Sequence, residues 1–335
     1  MTHTEIIQKL QLNGKNWLEN PPQDTLIKAI DQNPWFTESD IRFSLREISL
    51  WLAAPKLFDF LKNYPLHSPN PKRRLGLILA GNIPAAGFHD VLMGVFSGYL
   101  IEAKCSHSDS VLIPAFFQDV LPELTTLSFP DKLSKPDALI ASGSSLTAQY
   151  LSHSYSDIPV LIRGNRFSIA ILQGFESRED FNLLVSDILR YNGLGCRNVS
   201  NLLIPPNWVG LEFLKDSLLL AKKTFSFSSP YLRKVAWEQG IENWKGNIQD
   251  SSLPVCLRTN IQLSPVEVGV LQLVEYSDSK HQDQLIQNVS NTLQCICGTD
   301  TSIPFGKTQS PELDDFADRV DTLEWIGDLE SRSDG

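Results

Sequence analysis

Leu75-Gly76-Leu77-Ile78-Leu79-Ala80-Gly81 is a continuous apolar run that ends at a glycine. Such a run is typical of a strand buried on both faces, as the strands of parallel sheets are. A loop, Asn82-Ile83-Pro84, follows it, and apolar residues then recur at helical spacing between Val91 and Phe96. The pattern predicts a buried strand, a loop and a helix, which together begin a βαβ unit.

The same alternation continues to about residue 172. Short apolar runs at 99–103, 138–141, 160–162 and 169–172 predict further strands, and helical patterns separate several of them. Strands and helices that alternate at this spacing form parallel sheets with right-handed crossovers. We therefore predict an α/β fold with a Rossmann-type parallel sheet.

Polar or glycine-containing turns follow the first four predicted strands. They carry Asn82, Lys104, Ser142-Gly143-Ser144 and Arg163. In open α/β sheets, ligands bind beyond the carboxyl ends of the strands. We therefore expect these residues to lie along one edge of the sheet, where they favour a nucleotide site.

The segment before the first predicted strand has a different character. Thr37-Glu38-Ser39-Asp40 predicts a capped helix N-terminus, and apolar residues follow at helical spacing as far as Leu52. Pro55 interrupts this pattern, which then resumes. We predict that residues 1–70 form a helical N-terminal lead-in.

Cys196 lies in a turn, Tyr191-Asn192-Gly193-Leu194-Gly195-Cys196-Arg197-Asn198-Val199, between an amphipathic helix and an apolar run that ends at Pro205. The two glycines allow a sharp bend and a close approach of substrate to the sulfur. A thiol presented in this way can act as a nucleophile once its thiolate is favoured. The turn taken alone also fits a glycine helix cap followed by a buried cysteine.

The region from Cys196 to about residue 300 predicts a second α/β domain. Runs at 268–276 and 293–297 are strand-like, and a helical pattern lies between them at 283–292. Cys295-Ile296-Cys297 has C-x-C spacing, with no second ligand pair at zinc spacing. We therefore predict a buried strand there and no metal site.

Composition excludes several classes of protein. The chain has 335 residues, which is enough for about two domains. Its net charge of −10 argues against a general nucleic-acid binder, although local lysines and helix N-termini can still hold an anionic cofactor. The five cysteines are an odd number, and we find no secretory signal and no apolar stretch of membrane-spanning length. We therefore expect a reduced, cytoplasmic protein with no membrane span.

These motifs, taken in order, resemble the acyl-CoA reductases of the LuxC type, within the aldehyde dehydrogenase superfamily. Ala80-Gly81-Asn82-Ile83-Pro84 looks like the asparagine-containing loop after the first cofactor-domain strand, and Ser142-Gly143-Ser144 resembles the turn beside the pyrophosphate. Cys196 follows Arg163 at close to the superfamily's spacing for the nucleophile. Pro304-Phe305-Gly306-Lys307, Pro311-Glu312-Leu313 and Phe316 to Thr322 look like the LuxC-type C-terminal signature.

The resemblance implies a fold and an activity. The fold is aldehyde-dehydrogenase-like, with a Rossmann-type cofactor domain and a second α/β catalytic domain. The activity is NADPH-dependent reduction of a fatty acyl-CoA thioester to the aldehyde, through a thioacyl intermediate on Cys196. The Asn82 side chain and the Cys196 backbone N–H would hold the carbonyl oxygen.

The resemblance also implies which residues bind the cofactor. They would be Lys104, Ser142, Gly143, Ser144 and Glu267. His107 stands where NAD-preferring relatives often carry a glutamate, so the site favours NADPH, with NADH as the other candidate.

Two departures from the family pattern limit what the resemblance implies. Arg163 stands where relatives that hydrolyse their thioester intermediate keep a glutamate base, and a guanidinium group cannot deprotonate water. This favours acyl transfer to or from a thiol. The chain is also shorter than typical members, which leaves the acyl chain length and the subunit arrangement open, whether a homo-oligomer or a reductase complex.

The prediction divides the chain into four segments. Residues 1–70 are the lead-in, 71–165 the cofactor domain, 166–303 the catalytic domain, and 304–335 a C-terminal segment that closes the cleft. Two alternatives stay open: a reductase of another activated acyl group, such as an acyl phosphate or acyl-carrier thioester, and a non-catalytic binding subunit of a reductase complex. No proton donor is identified, although His89 and His153 are candidates.

Overall fold

The computed structural model describes residues 1–66, 73–143 and 145–333, which form two compact units. The first unit contains Met1–Asn165 and the chain from Glu312 onward, and the second contains Arg166–Pro311. The second unit is therefore inserted in sequence into the first. The functions that the sequence predicts for its four segments stay predictions.

Helices precede the first sheet, as predicted. Helix α1 (His3–Lys9) runs through a π-helical turn (Leu10–Gly14) into α2 (Lys15–Glu19), and α3 (Gln23–Gln32), α4 (Glu38–Trp51) and α5 (Lys56–Leu61) follow. The Thr37 hydroxyl accepts a hydrogen bond from the Asp40 N–H and caps α4. The break between α4 and α5 coincides with Pro55, which cannot continue a helix.

The first sheet is parallel and has the predicted alternation of strands and helices. Its elements are β1 (Arg74–Ile78), α6 (Phe88–Phe96), β2 (Leu100–Lys104), α7 (Leu112–Val120), β3 (Leu127–Ser128), β4 (Ala138–Ser142), α8 (Ser145–Ser154) and β5 (Val160–Arg163). The strand order is β3-β2-β1-β4-β5, so the order reverses direction between β1 and β4. This reversal is the switch point at which open α/β sheets bind ligands.

One apolar core unites the first sheet with the lead-in helices. Leu75 and Leu77 of β1 are fully buried, and they share a cluster with Leu45 of α4, Val91 of α6 and Leu323 near the C-terminus. The apolar run in β1 is continuous because helices cover both of its faces.

The second sheet is also parallel and lies in the second unit. Its elements are β6 (Phe167–Ile171), α9 (Arg178–Leu189), β7 (Val199–Ile204), α10 (Leu211–Thr224), α11 (Ser229–Trp244), β8 (Cys256–Asn260), β9 (Val270–Glu275), α12 (Ser279–Val289) and β10 (Leu293–Gly298). The strand order is β10-β6-β7-β9-β8. Cys295 and Cys297 are buried on β10, in the predicted strand.

The C-terminal segment ends in α13 (Thr322–Ser333). In the part of the chain that the structure describes, no helix is both long enough and apolar enough to cross a bilayer.

Candidate active site

Four of the predicted site loops leave the same edge of the first sheet. Ile78 at the end of β1 is in register with Lys104 on β2, and Ser142 at the end of β4 is in register with Arg163 on β5. Because all these strands are parallel, their carboxyl ends and the turns after them lie side by side. Asn82, Lys104, Ser142 and Gly143 therefore share one edge, whereas Ser144 lies outside the described residues.

The loop that carries Asn82 is held by buried polar side chains on both sides of that residue. The Asn33 side-chain amide donates to the Gly81 carbonyl at 3.1 Å, and the Ser44 hydroxyl donates to the Pro84 carbonyl at 2.7 Å. Asp109 accepts the Ala85 N–H at 2.8 Å. Asn82 itself is exposed, so the anchored loop presents its amide at the surface of the first unit.

Asp109 is an unusual anchor because its carboxyl group is buried. Burial raises its pKa to about 6, although hydrogen bonds from the backbone N–H groups of Ala85, Leu112 and Val111 act in the opposite direction. The carboxylate therefore holds the loop at neutral pH at the cost of its own hydration.

Lys104 is half-buried at the end of β2, and no acidic side chain among the described residues pairs with its ammonium group. His107 follows it on the exposed side of the loop. A cation at the carboxyl end of a parallel strand, with no protein carboxylate to neutralise it, suits a ribose or phosphate oxygen.

Gly143 is required by its neighbour. A Cβ atom there would lie 2.7 Å from the Thr147 methyl group of α8, which is too close for any real contact. The Gly143 N–H also donates to the Arg163 carbonyl at 3.3 Å. The chain thus passes closely from β4 into α8, as the loops beside nucleotide phosphates do.

Arg163 ends β5 at this edge, and its side chain is an internal structural anchor. Its guanidinium group is buried and pairs with Asp90 at 2.9 Å. It also donates to the carbonyls of Ala317 and Val320 and to the Thr322 hydroxyl. Arg163 therefore lies at the predicted edge of the sheet, but its guanidinium group is buried within the first unit.

Cys196 is exposed at the first central position of a tight turn in the second unit. The Asn198 N–H closes this turn by donating to the Gly195 carbonyl at 3.0 Å. Upstream, Tyr191, Asn192 and Gly193 have φ values of 54°, 55° and 70°, which turn the chain sharply away from α9. The reading of Cys196 as a buried residue behind a helix cap is wrong.

Two buried side chains fix this turn to its surroundings. The Asn198 amide donates to the carbonyls of Asp187, Ile188 and Arg190 at the end of α9, and its oxygen accepts the Gly195 N–H at 2.8 Å. The Ser168 hydroxyl on β6 donates to the Cys196 carbonyl at 2.9 Å. The cysteine backbone is therefore held from both the preceding helix and the neighbouring strand.

Glu267 stands, like Cys196, where a strand of the second sheet begins. Cys196 precedes β7 and Glu267 precedes β9, and these strands are neighbours. Both residues therefore lie at the amino edge of the second sheet, whereas the first unit presents its candidates at the carboxyl edge. Glu267 is exposed and accepts an ion pair from Arg258 at 3.3 Å.

The C-terminal signature motifs fall in both units. Asp187 of α9 is buried and accepts the N–H groups of Gly306 and Thr308 together with the Thr308 hydroxyl. Burial raises the Asp187 pKa to about 6. This carboxyl therefore anchors the Pro304-Phe305-Gly306-Lys307 motif within the second unit.

His89, a candidate proton donor, is committed to packing. Its Nε2 lies 2.9 Å from the Leu313 carbonyl, and its ring meets Trp51 edge-on. Burial lowers its pKa, so the ring is neutral at pH 7. His153 is exposed near the end of α8.

Sequence reasoning missed the residues that hold the two loops. Asn33, Ser44 and Asp109 anchor the Asn82 loop, and Ser168 and Asn198 anchor the cysteine turn. Only Asn198 has a local signal, because asparagine next to a glycine turn often bonds nearby backbone. The others act across long separations that no local pattern encodes.

Comparison with solved structures identifies the fold. The chain is similar to an NAD-dependent benzaldehyde dehydrogenase from Corynebacterium glutamicum, with a TM-score of 0.68 and 12% identity over 97% of this chain and 84% of that one. It is similar to aldehyde dehydrogenase 21 from Physcomitrella patens in complex with succinate, its reaction product (TM-score 0.67, 12% identity, 97% and 83% covered). An acetylating aldehyde dehydrogenase from Geobacillus thermoglucosidasius matches with a TM-score of 0.62 and 11% identity over 90% and 77%.

No family model matches the chain, and no curated protein matches it in sequence. The structural matches show the fold alone, and they confirm the predicted aldehyde-dehydrogenase-like fold. The assignment to the LuxC type within that fold stays a prediction.

Proposed function

We propose that this protein reduces an acyl-CoA thioester to the aldehyde with NADPH, and that Cys196 is the nucleophile. The observation that carries the proposal is the exposed Cys196 on a turn fixed by Asn198 and Ser168, within an aldehyde-dehydrogenase-like fold. A nucleophile needs exposure to reach substrate and a fixed direction of approach. The turn supplies both.

The carboxyl edge of the first sheet fits a nicotinamide dinucleotide. Three features suit such a ligand: the switch point between β1 and β4, the close turn at Gly143, and the Lys104 ammonium group, which pairs with no acidic side chain among the described residues. We assign Lys104 to the adenosine ribose or its phosphate, Ser142 and Gly143 to the pyrophosphate, and Glu267 to the nicotinamide ribose. His107 is exposed at the position where NAD-preferring relatives often carry a glutamate. A carboxylate there would repel the 2′-phosphate of NADPH, and histidine does not, so the site favours NADPH over NADH. When bound, the cofactor supplies the hydride.

The residues of the chain perform the acyl transfer. The Cys196 thiolate attacks the thioester carbonyl, and coenzyme A leaves as its thiolate, which solvent protonates, so that Cys196 carries the acyl group. Once the acyl carbon has received a hydride, the thiohemiacetal anion on Cys196 would collapse, which releases the aldehyde and returns the Cys196 thiolate. Both steps place negative charge on the carbonyl oxygen, and we assign the Asn82 amide and the Cys196 backbone N–H to that charge; losing one such donor costs about 10²–10³ in rate.

Arg163 argues against hydrolysis of the acyl group on Cys196 by water. A carboxylate at this position is the base that activates water in hydrolysing relatives, and here the position holds a cation bound to Asp90 and Thr322. The thioacyl group would then persist until hydride or a thiol reaches it.

The test is NADPH oxidation with a panel of acyl-CoAs, measured for the wild type, Cys196→Ala and Cys105→Ala. Cys105 is partly buried and is the matched control. We expect aldehyde to form with the wild type and the control, and turnover to fall by at least about 10³-fold in Cys196→Ala. NADH in place of NADPH measures the cofactor preference.

Other outcomes would replace the proposal. Turnover of acyl phosphates or acyl-carrier thioesters, but not of acyl-CoAs, would assign a different activated acyl group. No turnover with any of these substrates, together with slow alkylation of Cys196, would favour a non-catalytic binding subunit.

A further inference from the structure

Ser168 lies in β6 at a point where both neighbouring strands are irregular. On β10, two residues, Gln294 and Cys295, lie opposite Ser168 alone, which makes a β-bulge. The register between β6 and β7 also shifts directly after Ser168. Bulges are frequent beside active sites, where they redirect a side chain. The two shifts therefore mark Ser168 as the place where β6 leaves the regular ladder.

The Ser168 hydroxyl uses all of its hydrogen-bonding capacity. It donates to the Cys196 carbonyl at 2.9 Å, and its oxygen accepts the Cys295 N–H at 3.2 Å. The Cys295 sulfur lies 3.0 Å from the same oxygen. Because a hydroxyl has a single proton and a carbonyl can only accept, the proton between oxygen and sulfur is that of the Cys295 thiol. Cys295 therefore donates twice to Ser168, which leaves the hydroxyl free to donate only toward Cys196.

The bond from Ser168 completes the fixing of the backbone around Cys196. The Gly195 carbonyl accepts the Asn198 N–H at 3.0 Å, which orients the peptide group that carries the Cys196 N–H. The bond from Ser168 to the Cys196 carbonyl orients the peptide group that follows. Each peptide group is planar, so fixing both determines φ and ψ at Cys196 and hence the direction of its Cα–Cβ bond. The Ser168 hydroxyl thus aims the Cys196 thiol.

Burial gives the weak thiol donor its effect. Ser168 is fully buried and Cys295 is 6% exposed, so water cannot readily replace a lost donor. Hydrogen bonds strengthen in such surroundings, and an unsatisfied group becomes costly. Without the Cys295 sulfur, the Ser168 oxygen would lack one of its two donors, and the side chain would have room to leave its rotamer.

The second thiol of the Cys295-Ile296-Cys297 motif is also used as a buried donor. Cys297 is fully buried, and its thiol donates to the Asp187 carboxylate. That carboxylate accepts the Gly306 N–H, and the backbone carbonyl of Asp187 accepts the Asn198 amide. Residues two apart on a strand lie on the same face. The motif therefore supports the cysteine turn with one thiol and its surroundings with the other.

We propose that Ser168 and Cys295 are positioning residues for Cys196. The Cys295 thiol holds the Ser168 hydroxyl in place, and the hydroxyl aims the Cys196 thiol through the backbone. This role rests on the proposed function, in which the direction of attack on the acyl carbon matters. It predicts a loss of kcat with KM unchanged, because the direction of attack affects the transition state and not the binding of substrate.

The first test reports the surroundings of the Cys196 side chain without any substrate. Bromotrifluoroacetone should label Cys196, which is exposed, whereas Cys105 is partly buried and the other three cysteines are buried. Fluorine NMR of the labelled wild type should give one narrow signal that a Cys196→Ser chain lacks. We expect this signal to shift or broaden by more than its own width in Ser168→Ala and in Cys295→Ala. It should return toward the wild-type signal in Cys295→Ser, whose hydroxyl can still donate to Ser168.

Cys256→Ala is the matched control for this test. Cys256 is fully buried in the same unit, and its thiol donates to the Gln249 side-chain oxygen at 3.6 Å. The change therefore also removes a buried thiol and its hydrogen bond, and it should leave the signal unchanged. A wild-type signal in Cys295→Ala would overturn the proposal. So would a signal that Cys256→Ala disturbs equally, or one that Cys295→Ser does not restore.

The second test is a double-mutant cycle on NADPH oxidation with an acyl-CoA. Ser168→Ala should lower kcat by at least about tenfold and leave KM within about twofold. Cys295→Ala should lower kcat by about threefold or more, but should have no further effect in the Ser168→Ala background. Equal effects in both backgrounds, or a raised KM with kcat unchanged, would overturn the proposal. If the wild type turns over no acyl substrate, the proposed function fails, and the fluorine signals still decide the positioning roles.

Discussion

At the scale of single residues, the candidate site depends on side chains that do no chemistry themselves. Ser168 donates to the Cys196 carbonyl and also accepts the Cys295 N–H, so one hydroxyl links the cysteine turn to two strands. Asp109 fixes the Asn82 loop in the same way, because its carboxylate accepts a hydrogen bond from the Ala85 N–H. In both units the exposed candidate residue is fixed by a buried neighbour.

Asp109 makes stability depend on pH in a direction that can be measured. Its folded pKa of about 6 lies above the usual aspartate value, so the folded state keeps a proton that the unfolded state has lost between about pH 4 and 6. As the pH rises through that range, this group should therefore lower the unfolding free energy by about 1.4 kcal/mol per pH unit. Urea unfolding should give a lower unfolding free energy at pH 6.5 than at pH 4.5 in the wild type. In Asp109→Asn this difference should be smaller by the contribution of Asp109.

The control for this measurement is Asp131→Asn, because Asp131 is exposed. Asp187, whose pKa is also raised to about 6, adds a fall of the same sign in every variant and cancels in the difference. An identical pH dependence in the wild type and Asp109→Asn would contradict the assignment.

The sequence identifies the candidate site residues better than it identifies the buried residues that hold their loops in place. Cys196 and Asn82 lie beside glycines in turns that follow clear helix or strand patterns, so their positions can be read locally. The contact between Ser168 and Cys295 joins residues more than a hundred positions apart. Such a pair is set by strand order in the sheet, which the sequence alone leaves open.

At the scale of elements, the turn after β4 and the turn after β5 make a useful contrast. Both carry a glycine at the same edge of the first sheet. Gly143 has no room for a Cβ atom because of Thr147, whereas a Cβ at Gly164 would meet nothing within 4 Å. Only the first glycine is required by packing.

Gly143→Ala should therefore weaken cofactor binding, and Gly164→Ala should not. The added methyl group must displace Thr147 and the start of α8, which moves the backbone N–H groups proposed to face the pyrophosphate. We expect the Kd for NADPH to rise by about tenfold or more in Gly143→Ala, as measured by fluorescence titration. Equal affinity in the two variants would remove the β4–α8 turn from the cofactor site.

The sequence predicts elements well where burial is simple. β1 and β4 are continuous apolar runs, and they lie where the runs predict. β8 and α11 were not predicted, because β8 is a partly exposed edge strand with Arg258 and Asn260, and α11 carries its tryptophans outward. A hydrophobic pattern predicts that the apolar face of a helix is buried, whereas α11 exposes its tryptophans and buries glutamates and a glutamine.

At the scale of the whole molecule, Arg163 ties the C-terminal segment to the first sheet. It joins β5 to Asp90 on α6 and to the turn that leads into α13. The Thr322 hydroxyl completes the group by donating to Asp90 at 3.0 Å. Arg163 thus has a defined structural task in the first unit.

Arg163→Gln should loosen α13 and destabilise the first unit. The change leaves the Asp90 carboxylate buried without its cation, which typically costs about 3–5 kcal/mol. We expect faster hydrogen exchange in residues 317–333 and a lower melting temperature. Arg166→Gln is the control, because Arg166 bonds carbonyls of the second unit; protection of α13 that is equal in both variants would contradict this role.

The insertion of the second unit within the first has a consequence for synthesis on the ribosome. The second unit is one continuous segment, so all of its strands are present once Pro311 has been translated. The first unit is split, and the buried pair of Arg163 and Asp90 lacks Thr322 until the final part of the chain emerges. A nascent chain therefore has every strand of its first sheet before the second unit is made, but it lacks the C-terminal segment that packs on that sheet, so the unit that is begun first is completed last.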